Sequence, residues 1–104
     1  MTRIENMEEI KIIVMKPTAC TLCAIGQDWY TSHLTIEFTP DKYYPDYIEI
    51  QDWIMKEIDG KEMNIEQVVE QIYGFIKHEY LPKELKVTNH VTGCKSHFDV
   101  IVSK

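Results

Sequence analysis

Cys23 stands five residues before Asp28, and a second thiol, Cys20, stands three residues before Cys23 in the segment Cys20-Thr-Leu-Cys23. A thiolate is a strong nucleophile, and a neighbouring carboxylate can move the protons that a thiol addition requires. Cys23 with Asp28 therefore reads as a covalent-catalysis pair, with Cys20 as a competing nucleophile. The plainer reading is two thiols filling a loop and an aspartate in a turn. Cys20 and Cys23 with Cys94 and His97 also make four zinc ligands if two hairpins meet. A redox Cys-x-x-Cys should open a helix in a βαβ unit, a pattern this chain lacks. Glu66 is the other candidate. A carboxylate at a helix start can accept two parallel hydrogen bonds from a guanine-like edge. It can also simply complement the helix dipole.

The elements that must position these residues are legible from period and punctuation. Residues 8–15 are apolar and β-branched and predict a strand that Pro17 ends. Residues 18–29 mix small, polar and thiol residues with Gly26 and read as a loop. Leu34, Ile36 and Phe38 alternate with His33, Thr35, Glu37 and Thr39, which predicts a half-buried strand over 31–39 stopped by Pro40. Asp46 and Glu49 have capping-box spacing, with Glu49 expected to reach back. Ile50, Trp53, Ile54 and Ile58 follow at helical spacing, and Asp59-Gly60 ends that helix. Asn64 caps a second helix, with Gln67 at its third position. The core stripe of that helix is Ile65, Val68, Val69, Ile72, Phe75 and Ile76. Residues 85–91 alternate again, Gly93 marks a hairpin, and Phe98, Val100 and Val102 line a last strand.

The expected order is β-β-α-α-β-β, an α+β fold. It is a four-stranded antiparallel sheet with both helices on one face. Residues 1–104 form one domain, with 1–7 a flexible N-terminus. The first and last strands, or the middle pair, are expected as open edges, so pairing with further copies through the sheet is expected.

Composition narrows the function classes. Seventeen acidic and eleven basic residues give a formal charge of −6. Arg3 is the single arginine and the lysines are scattered, which argues against a broad electrostatic grip on nucleic acid. The balance suits a protein handling a small molecule. Three cysteines and no secretion-type N-terminal pattern point to reduced thiols and a cytoplasmic setting. The longest apolar run, residues 12–15, is too short for a membrane span, so no membrane partner is expected. His33, His78 and His90 have no partner spacing.

Together these features resemble the tunnelling-fold superfamily, and within it the 7-cyano-7-deazaguanine reductase (QueF) family and its short QueF-like, amidine-forming relatives. The resemblance spans residues 18–104. Cys23-Ala-Ile-Gly26-Gln27-Asp28 is similar to the family's cysteine-to-aspartate motif, and Ile36-Glu-Phe38-Thr-Pro40 to the strand after it. Tyr47-Ile-Glu49, Gly60-Lys61-Glu62 and Asn64-Ile-Glu66-Gln-Val-Val follow in the family's order. Three departures stand out. The motif lacks the family's prolines and threonine, and its cysteine-to-aspartate spacing is two residues shorter. Cys20, eight residues before Asp28, is nearer the family's spacing. The lysine-rich NADPH segment is replaced by Glu49-Ile-Gln-Asp-Trp53.

The resemblance implies a homo-oligomeric barrel with sites at subunit interfaces. It implies an enzyme of queuosine- or archaeosine-type 7-deazaguanine metabolism, acting on a free deazapurine or a modified tRNA base. Cys23 would add to the nitrile carbon of 7-cyano-7-deazaguanine to give a thioimide. Asp28 would protonate the nitrile nitrogen, and Glu66, Glu49 and Gln27 would bind the substrate. Amidine formation fits the missing lysines better than NADPH-dependent reduction. The alternatives are a zinc-dependent, pterin or GTP cyclohydrolase-like enzyme, and a catalytically silent purine- or pterin-binding module.

Overall fold

Alternation of apolar and polar residues along the strands gives the sheet one face to bury and one to leave open. A computed structural model of the chain describes residues 4–5, 12–93 and 98–103. In chain order the elements are β1 (Ile4–Glu5), β2 (Ile13–Met15), β3 (Thr18–Leu22), β4 (Trp29–Thr39) and β5 (Tyr43–Tyr44). They continue with α1 (Tyr47–Glu57), α2 (Ile65–Tyr80), β6 (Glu84–Thr92) and β7 (Phe98–Ser103). The main sheet is antiparallel, ordered β2-β4-β6-β7, with β3 also paired to β4. The first and last strand lanes are therefore the edges, and the middle pair is central.

Pro17 does not end the first strand lane. Ile13 faces Phe38, Thr18 faces His33 and Leu22 faces Trp29, so β2 and β3 run in one register along β4. Proline removes one ladder donor, yet the Leu34 N–H still donates to Pro17 O at 2.9 Å. An edge lane tolerates that loss. The loop expected at 18–29 is corrected accordingly: only 23–28 turn. Ala19 and Thr21 are buried while Thr18 and Cys20 are exposed, a period of two carried by small residues. The part of the first strand expected at 8–11 lies outside the described residues. Of the N-terminus expected to be flexible, Ile4–Glu5 pairs with Tyr43–Tyr44, and the rest of 1–7 lies outside the described residues.

Leu34, Ile36, Phe38, Leu85, Val87 and Val91 form the buried face of the sheet. Both helices pack on it, α1 through Ile50 and Ile54, α2 through Val68, Val69, Ile72 and Ile76. Trp53 of α1 stacks on Phe75 of α2 with ring centroids 4.4 Å apart. Asp46 Oδ1 accepts the Glu49 N–H at 3.1 Å, but the reciprocal bond expected from Glu49 does not form. Its carboxylate instead accepts the hydroxyl of buried Tyr80 at 2.9 Å. The capping box of α2 is complete: Gln67 N–H donates to Asn64 Oδ1 and Asn64 N–H to Gln67 Oε1. The opposite face of the sheet carries Trp29, His33, His90, Asp99 and Ile101. There His90 Nδ1 lies 2.6 Å from Asp99 Oδ1, and His33 Nε2 lies 3.0 Å from Thr92 Oγ1.

Candidate active site

The β3–β4 hairpin brings Cys23 and Asp28 together. Its register puts these two residues opposite each other one step beyond Leu22 and Trp29, and the Cys23 N–H donates to Asp28 O at 2.8 Å. Between them Ala24, Ile25, Gly26 and Gln27 form the turn, closed by the Gln27 N–H donating to Cys23 O at 2.9 Å. Cys23 Sγ accepts the Gly26 N–H at 3.4 Å.

The two competing thiols lie on opposite faces. Period two carries Cys23 to the face of Ala19 and Thr21, and it packs at the margin of the hydrophobic core beneath the helices. Cys20 projects from the open face, with Sγ 3.6 Å from Thr31 Oγ1. Opposed faces of one strand also forbid a Cys20–Cys23 disulfide without backbone movement.

The connection between the helices delivers Glu66 to the same end of the molecule. Residues 59–63 run along the outer edge of β3. Asp59 Oδ1 accepts the Cys20 N–H at 2.8 Å, and the Gly60 N–H donates to Cys20 O at 2.7 Å. The Leu22 N–H then donates to Lys61 O at 2.9 Å, and the Met63 N–H to Leu22 O at 3.0 Å. Gly60 sits at φ +77°, a conformation that L side chains resist, so the chain can turn from α1 onto this edge. Buried Tyr30 fastens the end of the segment, its hydroxyl donating to Met63 O at 2.8 Å. Three residues later Glu66 lies exposed in the first turn of α2. Sequence reasoning missed the edge-lying segment; the signal for it was the unpaired edge of the first strand lane beside Asp59-Gly60.

Gln27 and Glu49 are placed differently. Gln27 adopts φ +59°, and its side-chain amide donates to Ala24 O at 3.2 Å and to Glu62 Oε1 at 3.4 Å. It ties the turn to itself and to Glu62 of the segment 59–63. Glu49 is tied to Tyr80, fourteen residues along α2 from Glu66. At 1.5 Å per residue that is about 21 Å. Within one chain Cys23, Asp28 and Glu66 share one end and Glu49 the other.

The zinc reading is corrected. Cys20 and Cys23 diverge, and among the described residues no three His, Cys, Asp or Glu side chains are grouped to hold a metal. Cys94 and His97 lie outside the described residues. Among the described residues no helix is long and apolar enough to cross a membrane.

No family model matches the chain, and no curated protein matches it. Among solved structures, it is similar to archaeosine synthase QueF-Like in the apo form. That match has a TM-score of 0.81 and 16 % identity, and covers 93 % of this chain and 96 % of the other. At that identity the likeness speaks to the fold. The chain has the α+β tunnelling fold, shared with archaeosine synthase QueF-Like over nearly its whole length.

Proposed function

We propose that the chain is an enzyme acting on the nitrile of a 7-cyano-7-deazaguanine, with Cys23 as nucleophile. The observation that carries this reading is the pairing of Cys23 with Asp28 across the hairpin end, on the side of the sheet where α2 presents Glu66. The Cys23 sulfur adds to the nitrile carbon, a C–S bond forms, and one C–N π bond opens. The thiol proton passes by way of Asp28 to the nitrile nitrogen, leaving a thioimide. Glu66 accepts the paired donors of the guanine-like edge and aligns the nitrile with sulfur.

Ammonia adding to the thioimide carbon and expelling the thiolate would give an amidine. This branch is favoured over hydride reduction because residues 49–53 carry no lysine that would hold NADPH phosphates. The formal charge of −6 favours a free base over a substrate gripped through an RNA backbone. Glu49, bonded to Tyr80 about 21 Å along α2 from Glu66, could reach a site only as the contribution of a neighbouring subunit. Assembly into a barrel of copies belongs to the same proposal.

The test is intact-protein mass spectrometry after incubation with 7-cyano-7-deazaguanine. Wild type and Cys20→Ala should gain the ligand's mass, and Cys23→Ala should not. An adduct that survives Cys23→Ala and disappears in Cys20→Ala would move the chemistry to the open face. No adduct in wild type, where a known reductase forms one, would overturn the reading.

A further inference from the structure

The hydrogen-bond ladder between β3 and residues 59–63 stops at Leu22, one residue short of Cys23. Beyond it the turn holds itself by its own bonds. Among the described residues, the hydrogen bond that ties this turn to another segment is Gln27 Nε2 to Glu62 Oε1, at 3.4 Å. Gln27 holds φ +59°, a left-handed conformation that side-chain-bearing residues resist. Glycine would adopt it freely, so the glutamine is not there for the backbone. Its amide does what glycine cannot: it donates inward to Ala24 O and outward to the Glu62 carboxylate. Glu62 precedes Asn64, the cap of the helix that bears Glu66.

We propose that Glu62 is a positioning residue. Through the Gln27 amide it clamps the Cys23–Asp28 turn to the segment that delivers Glu66, so the attacking sulfur and the substrate anchor keep one spacing. This rests on the proposed nitrile chemistry for its catalytic consequence, but the clamp itself is testable without it.

The experiment compares wild type with Glu62→Ala, Glu62→Gln and Gln27→Gly. Iodoacetamide alkylation is followed by peptide mass spectrometry, with Cys20 on the opposite face as internal reference. Releasing the clamp should let the turn open and raise the Cys23-to-Cys20 alkylation ratio about threefold in Glu62→Ala and Gln27→Gly. In the same variants thioimide formation with 7-cyano-7-deazaguanine should slow about tenfold, because sulfur and nitrile lose alignment. Glu62→Gln keeps an acceptor oxygen at the same reach and should restore both readouts towards wild type. Faster alkylation with slower adduct formation separates positioning from a general loss of thiol reactivity. An unchanged alkylation ratio in both releasing variants overturns the clamp. So does a ratio that changes only in step with a lowered melting temperature. If wild type forms no adduct and the ratio still responds, the nitrile reading fails and the clamp stands.

Discussion

Tyr80 shows how one buried hydroxyl couples stability to pH. It is fully buried and donates to Glu49 Oε1 at 2.9 Å. Burial pushes its pKa well above the ordinary value of 10.0, and the hydrogen bond and charge of Glu49 push it further. The folded chain therefore holds this proton more tightly than the unfolded chain does. The resulting stabilisation is fully present below about pH 10, where an unfolded tyrosine keeps its proton, and declines as pH rises above that value. Tyr80→Phe should cost about 1 kcal/mol near neutral pH. Chemical denaturation should show the wild-type advantage shrinking above about pH 10. A gap that stays constant through this range would mean that Tyr80 titrates alike in both states. Cys23, Asp28 and Glu66 were legible as chemistry-bearing types at telling spacings. Their sharing of one end was not, because it depends on a register spanning two strands and on a connection lying along the sheet edge. Glu49 was read as a reciprocal cap; its partner Tyr80, thirty-one positions away, leaves no local trace.

At the scale of elements, α2 is the part most completely written in local sequence. Its apolar stripe, its cap at Asn64 and its partner Gln67 all serve the same helix start. Asn64→Ala removes the acceptor for the Gln67 N–H and should cost about 1 kcal/mol. Thermal unfolding would register this as a fall of about 4–8 °C. A fall of under about 1 °C would show that the β3 edge, through Met63, sets the helix start rather than its cap. The hairpin strand Thr18–Leu22 is the counterexample. Its alternation is carried by alanine, threonine and cysteine, whose weak apolar contrast gives period two little amplitude. Pro17 reads as a terminator, yet on an edge lane it removes a single donor and the register passes through it. The Asp59-Gly60 helix stop was visible; that the following residues would lie along β3 was not.

For the whole molecule, the two edges of the sheet differ. Residues 59–63 cover the outer side of β3, whereas β7 has no further strand beside it among the described residues. Ile101 on β7 is 54 % exposed. An uncovered edge with an exposed apolar side chain invites pairing with another copy. Wild-type protein should sediment as a multiple of the 12.3 kDa chain, and Ile101→Lys should shift it towards the single-chain mass. Wild type sedimenting at 12.3 kDa would remove the barrel from the proposal. The sequence by itself determined the two helices, the central strands and the side of the sheet that they bury. Each follows from periodicity and capping acting over a few residues. Only the tertiary structure decided that β2 and β3 form one lane, that Cys20 and Cys23 face opposite ways, and that Glu62 meets Gln27. Those outcomes depend on cross-strand register and edge coverage, which are set by hydrogen bonds between segments far apart in the chain.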